Sequence, residues 1–142
     1  MIFGHKKGQK YHNSKVERDG ITFDSKKEGD AYAILKNFED GGFIQSLELQ
    51  PTYEIIPKIT EKYVKHLKTK DKVCERCVYR ATTYTADFRF THDGCVYVVD
   101  VKASPSMLPH EYVLKKKLMR HLYGIDITEV FKLSDLNRFG NG

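Results

Sequence analysis

Asp93-Gly94 separates two runs rich in β-branched and aromatic residues, Val78 to Phe90 and Cys95 to Lys102. A two-residue Asp-Gly link between such runs predicts a hairpin closed by a type I′ turn, whose two central residues both need positive φ. The turn sets the register: His92 pairs with Cys95, Thr91 with Val96, and all further partners have numbers that sum to 187. Asp87 is therefore expected opposite Asp100. Directly opposed side chains share a face with Cβ atoms roughly 4.5–5.5 Å apart, and Lys102, two residues beyond Asp100, shares it too. Val96, Val98, Val99 and Val101 make the second strand apolar on both faces, the pattern of a strand at the centre of a sheet. Asp100 interrupts that pattern and needs a partner.

Two carboxylates so close repel, and one should keep its proton above the ordinary pKa unless a cation sits between them. Hard oxygen donors favour Mg²⁺ or Mn²⁺ over zinc, and Mg²⁺ commonly takes one or two carboxylates, completing its shell with water and phosphate oxygens. Such an ion polarises a phosphodiester and eases deprotonation of water, while Lys102 would orient that water or offset charge developing on phosphorus. The alternative is an Asp100–Lys102 ion pair with a structural role only.

The chain has 142 residues and 40% hydrophobic content, enough for one domain with a single core. Its formal charge of +5 favours a polyanionic partner such as DNA. An odd count of 3 cysteines fits a reducing compartment. No apolar run reaches the ~18 residues of a membrane span and the first residues lack a secretory core, so a soluble, cytoplasmic protein is expected, with no membrane partner.

Residues 1–20 read as a basic N-terminal arm in which Lys6, Lys7, Lys10 and Lys15 either stay solvated or order on DNA phosphates. Ser25-Lys-Lys-Glu28 matches a capping box, and a helix is expected from Ser25 to Asp40, ended by Gly41-Gly42. Ala31, Ile34, Leu35 and Phe38 mark its apolar face, and Glu28 lies on the same stripe. Glu28 is thus either the capping partner or a third acid aimed at the metal. Phe43 to Ile56 reads as a strand interrupted by Pro51, on which Gln50 lines the active site or simply faces solvent. Residues 58–77 form a basic insertion, with Lys65, Lys68, Lys70 and Lys72, that suits a helix and a strand equally and is either a DNA-contacting excursion or a solvated hairpin. His110 to Tyr123 is a helix ended by Gly124, with Lys115, Lys116 and Arg120 either along a phosphate backbone or in water. A last strand is expected within Ile125 to Phe131.

Cys74-Glu-Arg-Cys77 has a zinc-ligand spacing, but no second pair completes four ligands, so structural zinc is not expected. No Gly-rich phosphate loop is present, and no nucleotide cofactor is expected.

The order of helix with Glu28, strand, strand with Thr85-Ala-Asp87-Phe88, strand with Asp100-Val-Lys102, helix and strand resembles the PD-(D/E)XK nuclease superfamily over residues 21–131. Lys10-Tyr-His-Asn-Ser-Lys15, Gly20-Ile-Thr-Phe-Asp-Ser-Lys-Lys-Glu28, Leu47-Glu-Leu-Gln-Pro51, Tyr84-Thr-Ala-Asp-Phe88 and Val99-Asp-Val-Lys102 resemble a family of small bacteriophage proteins within it. The pattern is also similar to phage T7 endonuclease I, a dimeric resolvase of branched DNA. The resemblance implies an α/β fold with a restriction-endonuclease-like αβββαβ core, a mixed sheet flanked by helices. It also implies Asp87, Asp100 and the Val101 carbonyl as metal ligands, Glu28 as an acid beside the metal, and Lys102 as the catalytic lysine. Three positions depart from it: Ala86 stands where the superfamily has Pro, Asp100 where Glu is commoner, and Ala103 where phage relatives often carry Gly.

The expected function is that of a Mg²⁺- or Mn²⁺-dependent phage endodeoxyribonuclease acting in recombination or replication in the host cytoplasm. Branched DNA such as a Holliday junction is the substrate the resemblance implies, and a homodimer is left open. The alternatives are a nicking or restriction-like endonuclease on duplex DNA, and a DNA-binding accessory protein that keeps the fold without cutting.

Overall fold

The computed structural model describes residues 14–141, so Lys6, Lys7 and Lys10 lie outside the described residues. The chain enters through a small hairpin, β1 (Val16–Arg18) and β2 (Ile21–Phe23), which turns at Asp19 and Gly20, both at positive φ. Val16 to Arg18, expected within the basic arm, pair instead with β2, Val16 opposite Phe23. Lys15 stands exposed just before Val16.

Helix α1 (Lys26–Asp40) starts where Ser25 predicts, with the Glu28 amide donating to Ser25 Oγ at 3.2 Å. Gly41 keeps a right-handed conformation, and Gly42, at φ 81°, makes the turn. The expected strand from Phe43 to Ile56 is two strands in different sheets, β3 (Gln45–Leu49) and β4 (Thr52–Ile56). Gln50 at φ 49° and Pro51 without an amide hydrogen together redirect the chain between them.

Residues 58–77 resolve as strand: β5 (Ile59–His66) and β6 (Asp71–Tyr79) pair with each other and, among the described residues, with no other strand. The expected strand from Val78 to Phe90 is likewise divided. Val78 belongs to β6, β7 (Thr82–Thr85) pairs with β4, and the chain bends at Asp87 before β8 (Phe88–His92). β8 and β9 (Cys95–Val101) form the expected hairpin, with Asp93 at φ 49° and Gly94 at φ 77° in its turn. The register runs as read, from His92↔Cys95 to Phe88↔Val99, and stops one residue short of Asp87.

Helix α2 (His110–Tyr123) ends at Gly124, φ 67°, and leads into β10 (Ile127–Val130). The main sheet has the order β10-β9-β8-β3, in which β10 runs parallel to β9 and the other neighbours are antiparallel. The molecule is thus mixed α/β, with a four-stranded mixed sheet, three two-stranded ribbons and helices on both faces.

On one face α1 places Ala31 and Leu35 against Phe88, Phe90 and Val99. A closing 3₁₀ segment, Leu133–Phe139, adds Leu136 and Phe139 to that core, both fully buried. The packed body therefore continues past residue 131, where the sequence pattern was expected to end. On the other face Tyr112 and Met119 of α2 cover Val98, Tyr84 and Ile127. Leu114 and Leu122 of this helix are exposed at 59% and 46%. Tyr112 and Met119, seven residues apart, are the pair that faces the sheet. No described helix is long and apolar enough to cross a membrane.

Candidate active site

Asp100 lies on the central strand β9 and is only 4% exposed. A carboxylate so placed must be held by hydrogen bonds or charge. The phenol of Tyr84, on β7, donates to its Oδ2 at 2.5 Å, and Lys102 Nζ stands 3.5 Å from the same oxygen. The ammonium also lies 4.0 Å from the centre of the Tyr112 ring, so the aromatic face shares its charge. Lys27 of α1 pins the end of the strand, donating to the Lys102 carbonyl at 2.8 Å and to the Phe131 carbonyl.

Asp87 reaches the same place from the bend. Instead of completing the ladder, its amide donates to the Val99 carbonyl at 3.1 Å, and its Oδ2 accepts the Val101 amide at 2.7 Å. Asp87 thus grips both neighbours of Asp100 rather than standing in regular register with it, which brings its carboxyl close enough to feel the Asp100 charge. The bend itself is held from β3 and β4: the Gln50 amide donates to the Asp87 carbonyl and the Ala86 amide to the Pro51 carbonyl, both at 3.0 Å.

Electrostatics follow from that geometry. Burial pushes the Asp87 carboxyl up to about 8, helped by its interaction with the neighbouring Asp100 carboxyl and its charge, while the Val101 amide pulls the other way. Glu28, on the first turn of α1, is also raised, mainly by burial and then by the charges of Asp24 and Asp100, against a lowering by Lys102. Glu28 therefore feels the pair electrostatically. Among the described residues no three His, Cys, Asp or Glu side chains are grouped to hold one ion, so the acidic cluster is the aspartate pair. Two carboxylates are the number that Mg²⁺ commonly takes from a protein.

The pair separates two clefts. One, of about 440 Å³, is lined by Asp100, Lys102, Tyr84, Tyr112 and Lys115. The other, of about 210 Å³, is lined by Asp87, Glu28 and Gln50 with Phe23 and Leu49. Gln50 is thus brought to the site, held there by its unusual backbone. Sequence reasoning assigned no role to Tyr84, although it opens the motif that ends in Asp87. It also missed Glu129, which sits beside Asp100 in the parallel β10–β9 register. Only the strand order reveals that neighbour. The Tyr112 phenol and Glu129 Oε2 are buried with no hydrogen-bond partner among the described residues, yet burial and the Glu129 charge hold the phenol's proton on.

The basic residues expected on α2 are present but occupied. Lys115 pairs with Glu111 at 2.9 Å, Lys116 with Glu129, and Arg120 with Asp126. Cys74 and Cys77 lie on a regular stretch of β6, opposite Tyr63 and Thr60. Three residues apart on a strand, their thiols point to opposite faces roughly 10 Å apart, which prevents the pair from chelating one zinc ion.

Residues 8–135 match the family model described as Protein of unknown function (DUF1064). The chain belongs to the DUF1064 family. No curated protein and no solved structure matches it. The match begins ahead of β1 and runs into the closing 3₁₀ segment, so the DUF1064 unit contains both clefts and all of the residues that build them.

Proposed function

We propose that this DUF1064 chain is a Mg²⁺- or Mn²⁺-dependent endodeoxyribonuclease with a restriction-endonuclease-like core. The observation that carries the reading is the placement of two aspartates at the end of the central hairpin, Asp87 bonded to both backbone neighbours of the buried Asp100, with a lysine 3.5 Å from Asp100 and a cleft beside each acid. The element order supports it: α1, β3, β8, β9, α2, β10, with one long excursion after β3.

The donor set fits a hard cation. It is oxygen throughout and anionic, and its two members oppose each other's ionisation, a conflict that a doubly charged ion removes. Asp87 and Asp100 would hold the ion, with the Val101 carbonyl completing the set and Glu28 adding negative charge from α1. When bound, the ion supplies Lewis-acid polarisation of the scissile phosphate. Lys102, steadied by the Tyr112 ring, places a positive charge where negative charge accumulates on phosphorus, and it orients the attacking water. Tyr84 fixes the Asp100 carboxylate so that it does not turn away from the pair.

Branched DNA is the substrate we favour. A cleavage assay on duplex, nicked, flap and four-way-junction DNA tests it, with Asp87→Asn and Lys102→Ala alongside the parent. Junction cutting that requires Mg²⁺ or Mn²⁺ and is lost in both variants is the expected result. Equal, metal-independent traces in all three proteins would end the reading, whereas equal cutting of every duplex form would turn it toward a nicking or restriction-like enzyme.

A further inference from the structure

The net charge of this chain is concentrated in one projection. Residues 58–80 hold eight basic and three acidic side chains, a formal +5, equal to the charge of the whole chain; the remainder balances at sixteen of each sign. These residues are the β5–β6 ribbon and its two ends, and nearly every side chain on it is exposed.

Each acid on the ribbon is already engaged. Glu61 accepts from Arg76 at 2.6 Å, Asp71 lies 2.8 Å from His66 Nδ1, and Glu75 accepts from Thr60. The lysines at the outer end are not: Lys65, Lys68, Lys70 and Lys72 carry no ion pair among the described residues. Lys65 and Lys72 are direct cross-strand partners, so two like charges share a face beside the turn, an arrangement that destabilises a free hairpin. A polyanion resting on that face removes the repulsion. A second copy of the chain would not, since it would bring another positive ribbon against the first.

The ribbon is also continuous with the site. Pair numbers sum to 137 from Thr52↔Thr85 through Glu54↔Thr83, to 138 at Ile56↔Thr82 and Ile59↔Tyr79, and to 137 again from Thr60↔Cys77 outward. β4–β7 and β5–β6 are therefore separate ladders that follow one another along one path, broken at residues 57–58 and 80–81, with two compensating register shifts. The base of that path carries Tyr84, bonded to Asp100, and its end carries the free lysines. At ~3.3 Å per residue, the fifteen residues from Thr52 to His66 span up to about 45 Å, more than the ~34 Å of one DNA helical turn.

We propose that this ribbon is a phosphate-backbone clamp for double-stranded DNA, in which Lys65, Lys68, Lys70 and Lys72 contact phosphates without reading sequence. The chemistry of the tip suits phosphates, because its lysines are flexible point charges and it lacks the planar Arg, Asn and Gln side chains. The clamp stands on the charge and the reach of the ribbon; the choice of DNA as the polyanion and the distance from a cut phosphate rest on the nuclease reading.

Fluorescence anisotropy with a labelled duplex of about 30 base pairs, in chelator and over a salt series, tests it. Three proteins are compared: the full chain, a fourfold Lys→Gln variant at 65, 68, 70 and 72, and the matching fourfold Lys→Arg variant. The slope of log Kd against log salt should fall by about 3 to 4 in the Gln variant, at roughly 0.9 per lost phosphate contact, and should persist in the Arg variant. Thermal unfolding of the Arg variant should match the parent and that of the Gln variant should be no lower, since it loses the Lys65–Lys72 repulsion, and a Gln variant that fails to fold leaves the Arg variant and the parent slope as the reading. A parent that does not bind duplex, a slope unchanged in the Gln variant, or a parent slope below about 3 would overturn the clamp. So would a change confined to sedimentation, which would make the ribbon a contact between copies. A parent that binds with the expected slope and cuts nothing in Mg²⁺ or Mn²⁺ removes the nuclease reading and leaves the clamp standing.

Discussion

Asp87 brackets Asp100 with two hydrogen bonds, its amide donating to the Val99 carbonyl at 3.1 Å and its carboxylate accepting the Val101 amide at 2.7 Å. A bend that would otherwise end a ladder thereby becomes a clasp that presses two acids together. Burial first, and then the neighbouring Asp100, raise the Asp87 carboxyl from 3.8 to about 8.

That shift gives stability a particular pH dependence. The folded Asp87 holds its proton more tightly than the unfolded chain does, so its contribution is complete below about 4 and is lost as pH rises through about 8. In chelator, thermal unfolding should move to lower temperature across that window. Asp87→Asn cannot ionise and still offers an oxygen to Val101, so it should flatten the dependence and unfold at a higher temperature than the parent at the alkaline end. Parallel curves for the two proteins would contradict the assignment.

Tyr84→Phe removes a buried donor to a carboxylate while keeping the ring in the core. A hydrogen bond to a charged group is worth about 1.5–3 kcal/mol, and a loss of that size in urea unfolding near neutral pH is expected. The same variant should cut more slowly than the parent, because Asp100 then turns more freely. Unchanged stability would mean that the phenol is not bonded in solution.

Phe139 and Leu136 test whether the closing segment belongs to the folded body. Both are 0% exposed, and the Phe139 ring packs edge-on against Phe90 at 4.8 Å between centroids. Phe139→Ala should cost about 3–5 kcal/mol and Leu136→Ala about 2–5 in chemical denaturation. Losses under about 1 kcal/mol in both would show the segment to be loosely attached.

Much of this was legible wherever one local rule dominated. Asp93-Gly94 set the β8–β9 register because few turns accept two positive φ angles, and Ser25 set the start of α1 because its hydroxyl satisfies an amide that the helix cannot. Legibility failed where tertiary contacts decided. Nothing in Thr85-Ala86-Asp87 announces a bend, which depends on hydrogen bonds from residues more than thirty positions away at Gln50 and Pro51. The β5–β6 ribbon was ambiguous because two exposed strands bury no face and so leave no apolar alternation to read. Leu136 and Phe139 sit in a 3₁₀ segment too short for a helical period, and Glu129 gains its position only through a parallel pairing across α2.

Titration calorimetry of Mn²⁺ into the full chain, with Asp87→Asn and Asp100→Asn as comparisons, tests the central claim most directly. The account predicts saturable binding in the parent, abolished in both variants. Absence of binding in the parent, or binding of equal strength in all three proteins, would contradict it.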